Sequence, residues 1–145
     1  MQQLIESNNQ LKIFLANELK NTENEIISIR QIETIAAYLI RSVGIRANLK
    51  GYGYLIKVIT CGVMNPELLH PISKGAYTVV SESLGVNISC VERNIRTAID
   101  SAYAHSPNQM RKIFVYPGDK PYASEFIAIS VDIIRQEILK RELII

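Results

Sequence analysis

Val79-Val80-Ser81-Glu82-Ser83-Leu84-Gly85-Val86-Asn87-Ile88-Ser89-Cys90-Val91-Glu92-Arg93-Asn94-Ile95-Arg96 is the stretch on which the fold turns. One helical run ends at Gly85, a residue type that accepts the left-handed backbone of a tight turn. A second opens at Ser89, with Glu92 three residues on, the spacing of a capping box. Ser81 is small enough to face a partner helix, and Val91 and Ile95 lie one turn apart as inward anchors. Together these features predict a helix-turn-helix. Further along, Val91, Ile95, Ala98, Ile99, Ala102 and Tyr103 recur at three and four residues, so one face of a helix from about Ser89 to His105 packs inward. The opposite face, near the N-terminal end, carries Cys90, Arg93, Asn94, Arg96 and Thr97, with Glu92 alongside.

That set suits the reading of bases. Arginine can donate two hydrogen bonds to guanine, glutamate can accept from cytosine, and asparagine can pair with adenine, all in the major groove of DNA. Contacts concentrate at the start of a recognition helix because that end enters the groove. A cap at Ser89 also leaves backbone amides free for a phosphate. The same pattern fits a merely solvated face, with Arg96 and Asp100 as an i,i+4 ion pair. Helix-turn-helix sequences are short and degenerate, so the pattern alone leaves both readings open.

Outward from this segment the apolar spacing stays helical. Leu4, Leu11, Leu15 and Leu19 form an amphipathic stripe over residues 2–20, followed by a capping box at Thr22 and Glu25. A helix is predicted from about Ile32 to Val43, stopped by Gly44, and another from a cap at Asn48 through Val63. Asn65-Pro66 breaks the pattern. One helix is then expected over Ser73–Leu84, one or two turns over 108–114, and a loop or turn at 117–121. A last helix runs from about Ser124 to Leu143. The fold class is all-α, a compact bundle containing the helix-turn-helix, with an extra N-terminal amphipathic helix. We divide the chain into a helical extension, 1–29, and an effector domain, 30–145.

Composition bounds the function classes. The chain has 145 residues, of which 48% are hydrophobic and 21% charged, as in ordinary globular proteins. No apolar run approaches the ~18 residues of a membrane helix, and no signal peptide opens the chain, so a cytoplasmic location without membrane contact is expected. Cys61, Cys90, His70 and His105 match no metal-ligand spacing, and no cofactor is expected. No nucleophile, base and orienting group occur together, and Gly51-Tyr52-Gly53 lacks the remainder of a phosphate loop, so an enzyme is not expected. The net charge is +2, but residues 1–29 carry two lysines against four glutamates, which leaves +4 on the remainder. That bias toward a polyanion is mild, so a few placed side chains must do any DNA binding.

Three blocks give a sharper indication. Gly44-Ile45-Arg46-Ala47-Asn48-Leu49-Lys50-Gly51-Tyr52-Gly53-Tyr54-Leu55 is the first. Ser89-Cys90-Val91-Glu92-Arg93-Asn94-Ile95-Arg96-Thr97-Ala98-Ile99 is the second. Lys120-Pro121 followed by Ser124-Glu125-Phe126-Ile127-Ala128 is the third. In order and spacing they resemble the C-terminal effector domain of the stage-zero sporulation response regulator, from about Ile32 to Lys140. The resemblance implies a bundle of about six helices that binds double-stranded DNA boxes like TGTCGAA, often as a homodimer or tandem pair of domains. It further implies Glu92 and Arg93 as base readers and Arg96 as a base or phosphate contact. Ser106–Phe114 lies where the family touches RNA polymerase through a sigma factor, and matches poorly.

The chain departs from that pattern at informative places. Cys90 stands where the family has a DNA-contacting arginine, and Thr97 where it has histidine. One lost bidentate arginine contact costs ~1–3 kcal/mol of discrimination. Gly53 replaces an apolar residue inside a predicted helix, at ~1 kcal/mol. Family members couple this domain to a phosphoacceptor receiver, whereas residues 1–31 are too few for one and hold no acidic cluster, so no phosphorylation switch is expected here. The N-terminal helix is expected either to pack on the domain or to self-associate. The rival to a DNA reader is an interaction module that pairs with a full-length regulator and antagonises it. Retention of Glu92, Arg93 and Arg96 favours the reader.

Overall fold

Helix α1 (Ile29–Ser42) starts where the sequence supplies both halves of a cap. The Ser28 hydroxyl accepts from the Gln31 amide at 3.2 Å, and the Gln31 side chain accepts from the Ser28 amide at 2.8 Å. The helix therefore begins three residues before Ile32, the start expected from apolar spacing alone. The computed structural model describes Ile13, residues 27–114 and residues 120–144. The amphipathic stripe over 2–20, the Thr22–Glu25 box and most of the 117–121 turn lie outside the described residues.

Five more α-helices follow: α2 (Lys50–Met64), α3 (Thr78–Leu84), α4 (Ile88–His105), α5 (Pro107–Ile113) and α6 (Ala123–Ile144). A 3-10 turn (Pro66–Leu69) and a widened π turn (Ser73–Tyr77) join α2 to α3. The all-α reading holds, and no strand occurs among the described residues. Helix α2 is the hub, touching α1, α4 and α6. Its Leu55, Val58 and Ile59 are fully buried with Ile35, Leu39 and Ile40 of α1 and Ile95 and Ile99 of α4. Each such side chain contributes about 1.5–3 kcal/mol on burial. Phe114 after α5 stacks on Phe126 of α6 with ring centroids 4.7 Å apart, closing the core on that side. The Arg135 guanidinium of α6 donates to the Val63 carbonyl, one of the acceptors a helix end leaves unpaired.

The structure corrects three expected boundaries. Helix α2 is capped at Leu49, whose extended backbone offers no side-chain acceptor, rather than at Asn48. Helix α4 begins after Asn87, not at Ser89. Asn87 is extended, with φ −72° and ψ 150°, and its carbonyl accepts from the amides of Cys90 and Val91, so Ser89 falls inside the first turn. The expected single helix over Ser73–Leu84 is compound. Gly75 lies so close to the Leu68 carbonyl that a Cβ there would sit 2.2 Å from its oxygen. The chain widens at that contact, with the Tyr77 amide donating to the Ile72 carbonyl five residues back.

Candidate nucleic-acid interface

The turn between α3 and α4 is built on Gly85. Its φ of +68° and ψ of 35° put it in the left-handed region, and both its amide and that of Val86 return to the Ser81 carbonyl. A Cβ at Gly85 would meet nothing within 4 Å, so backbone conformation and not space selects glycine here. Ser81 is buried, its hydroxyl donating to the Thr78 carbonyl, and Val91 and Ile95 are fully buried. The four residues expected to define a helix-turn-helix all occupy the required places.

Around α4 the side chains sort into an outer face and two flanks. Ser89, Arg93, Arg96 and Thr97 are exposed on the outer face. Arg93 and Arg96 make no ion pair among the described residues. The pair anticipated between Arg96 and Asp100 does not form, because Asp100 instead meets Lys120 at 2.8 Å. That contact ties the segment before α6 to α4 and leaves both arginines available. With both partners more than 40% exposed, it contributes at most about 1 kcal/mol.

One flank faces α3. There Glu92 is half-buried and, with Arg96, acts on Tyr77, a buried residue that ends the π turn just before α3. Burial chiefly pushes the Tyr77 phenol up to about 12; the Glu92 charge adds to this and Arg96 opposes it.

The other flank faces α2, and here the contacts are closed. Cys90 and Asn94 are half-buried rather than fully outward. The Asn94 amide donates to the Cys90 carbonyl at 2.8 Å and lies 3.4 Å from its sulfur. The Tyr54 hydroxyl of α2 sits 3.9 Å from the same sulfur, and this contact, followed by burial, pushes the Tyr54 phenol up. Gly51 lets the two helices meet, since a Cβ there would lie 2.2 Å from the Asn94 carbonyl oxygen and 2.7 Å from Ala98 Cβ. Gly51 meets Asn94 and Ala98, while Tyr54, one turn on, reaches back to Cys90, so the helices pass in opposite senses. Sequence reasoning missed this Tyr54–Cys90–Asn94 contact. The pairing of Gly51 with a tyrosine three residues later was its only trace.

The chemistry offered is that of recognition. Cys61 and Cys90 are free thiols, and burial pushes the Cys61 thiol up against the opposing effect of Lys57, the wrong direction for a nucleophile. No helix among the described residues is long and apolar enough to cross a membrane. A sequence model of the family described as Sporulation initiation factor Spo0A C terminal matches residues 36–134. That span runs from the second turn of α1 into the middle of α6 and contains the whole helix-turn-helix.

Proposed function

This chain belongs to the Spo0A C-terminal sporulation initiation factor family, a DNA-binding effector domain and not an enzyme, and on that premise we propose that it is a sequence-specific transcriptional regulator. In this reading residues 30–145 are the effector domain and 1–29 an extension. Helix α4 lies in the major groove, and its target is a box resembling TGTCGAA. The observation that carries the proposal is the outer face of α4, where Arg93 and Arg96 stand exposed, with no carboxylate partner among the described residues, beside Ser89 and Thr97 and next to a buried anchor row. An arginine without a carboxylate partner keeps its donors for guanine or phosphate. Arg93 and Glu92 are assigned to bases, and Arg96 to a base or phosphate. Cys90 and Asn94, at the α2 edge, contact bases only at the margin of the helix. Tandem boxes would seat two domains side by side.

Fluorescence anisotropy on a TGTCGAA duplex and a scrambled duplex, with wild type and Arg93→Ala, tests this. Wild type is expected to prefer the box and the variant to lose that preference while still binding in a salt-dependent way. Equal binding to both duplexes by wild type refutes this box, and a random-duplex selection then finds the one actually read. Absence of binding to any duplex at low salt refutes the DNA reader and favours the module that pairs with a full-length regulator. The engaged Asn94 amide and the cysteine at position 90 are what favour that second reading.

A further inference from the structure

Between Glu33 and Glu67 the sequence contains no acidic residue, yet it carries Arg41, Arg46, Lys50 and Lys57. Lys57 is taken up by Glu33 at 3.8 Å. The other three cations have no carboxylate partner among the described residues, and all three are exposed. They lie together where α1 ends and α2 begins. Arg41 is in the last turn of α1 and donates to the Tyr52 hydroxyl of α2 at 2.8 Å. Arg46 lies in the connecting turn, its carbonyl accepting from the Leu49 amide. Lys50 is the first residue of α2, whose first turn holds no acidic residue. A lysine there opposes the positive end of the helix dipole, where an acid is the stabilising choice. An anion supplied from outside would resolve that mismatch.

The position of this corner relative to α4 identifies the anion. At one end of the connection, Gly44 packs on Ser106 and Gln109, just past the C-terminus of α4. At the other, Gly51 packs on Asn94 and Ala98, in its middle turns. The turn carrying Arg46 and Lys50 therefore runs along the flank of α4 on the Asn94 side. A helix lying in a major groove has a sugar-phosphate strand along each flank, spaced by the groove's ~12 Å width. We infer that Arg46 and Lys50, with Arg41 behind them, form a second contact that grips the DNA backbone beside the groove read by α4. The inference rests on the proposed DNA-reading role of α4. The corner supplies affinity and register without sequence preference, because phosphates are alike along the strand.

The experiment measures the salt dependence of binding for Arg46→Ala, Lys50→Ala and the double variant, on the preferred and the scrambled duplex, with Arg93→Ala and Lys57→Ala as references. Each corner variant is expected to lower the slope of log K against log salt by roughly 0.9, the effect of one lost phosphate contact. The double variant lowers it by about twice that. The ratio of affinities for the two duplexes stays at the wild-type value, Lys50→Arg restores the slope, and Lys57→Ala leaves it unchanged. Wild-type slopes in both corner variants, alongside an Arg93→Ala that loses preference, overturn the corner contact while leaving the reading helix standing. Equal slope losses in Lys57→Ala and the corner variants also overturn it, because general charge then explains the effect. Failure of wild type to bind any duplex removes both the corner and the reader.

Discussion

Helices α2 and α4 lie against each other and use their residues in opposite ways. Helix α2 is wrapped by α1, α4 and α6, and its sequence is governed by what touches it. Gly51 and Gly62 sit where a Cβ would strike a neighbour, and Leu55, Val58 and Ile59 are fully buried. Helix α4 is buried along one stripe only, and its remaining positions carry charge and hydrogen-bonding groups toward solvent. At their crossing the packing helix sets the position of the presenting one. A substitution in α2 should therefore act mainly on stability, and one on the outer face of α4 mainly on recognition.

The largest expected effect separates two glycines only two residues apart. Gly51→Ala would press a methyl group into the Asn94 carbonyl, a backbone atom that cannot rotate away. We expect a loss of about 3 kcal/mol in urea unfolding, toward the upper end of overpacking costs. Next comes the outer face, where Arg93→Ala should cost ~1–3 kcal/mol of discrimination between boxes, read by anisotropy, with little change in melting temperature. Asn94→Ala should cost much less discrimination, because the amide it removes is bonded to Cys90. Matching losses in the two variants would break the comparison, placing Asn94 on the bases when DNA is bound. Gly53→Ala has the opposite sign to Gly51→Ala. Nothing lies within 4 Å of the new Cβ, so helix propensity alone operates and stability should rise by about 1 kcal/mol.

The subtlest test is of pH. The Tyr77 phenol is raised to about 12 in the folded chain, while an unfolded tyrosine ionises near 10. Above pH 10 the unfolded state loses its proton first, so stability should fall as pH rises from 10 to 12. Below pH 10 the two states hold the same proton and no dependence arises. Tyr77→Phe should flatten most of the decline in denaturant midpoints. A smaller decline should persist from Tyr54, whose phenol is raised in the same direction.

Features governed by neighbours in sequence were legible before the structure; those governed by neighbours in space were not. Gly85, Ser81, Val91 and Ile95 define the helix-turn-helix through local spacing, and each occupies its expected place. Gly44 likewise ends α1 with a positive φ of 93°. The caps were less readable. Ser89 and Glu92 have the spacing of a capping box, yet Asn87 starts the helix, because the extended residue after the Gly85 turn fixes where helical backbone begins. The true box, Ser28 with Gln31, was visible in the sequence but lay before the apolar repeat that set the expected start. The widened turn over Ser73–Tyr77 depends on Gly75 meeting Leu68, and periodicity carries no record of that contact. On the candidate site, sequence singled out the helix proposed to read DNA and its exposed arginines but not the sharing-out of its flanks. Asn94 and Arg93 are adjacent in sequence, and only the position of α2 distinguishes them.

The meeting of Gly51 with the Asn94 carbonyl bears on how such a domain can change its target. The seat of α4 is made from the close Gly51 contact and from buried side chains such as Ile95 and Ile99, so its angle to the rest of the molecule does not depend on which side chains point outward. Arginine, histidine or threonine can alternate on the outer face while the helix stays in place. If α4 reads DNA as proposed, specificity and architecture are separable traits in this domain, open to independent change by mutation. The same separation makes the outer positions of α4 suitable for randomised libraries that seek new boxes on an unaltered scaffold.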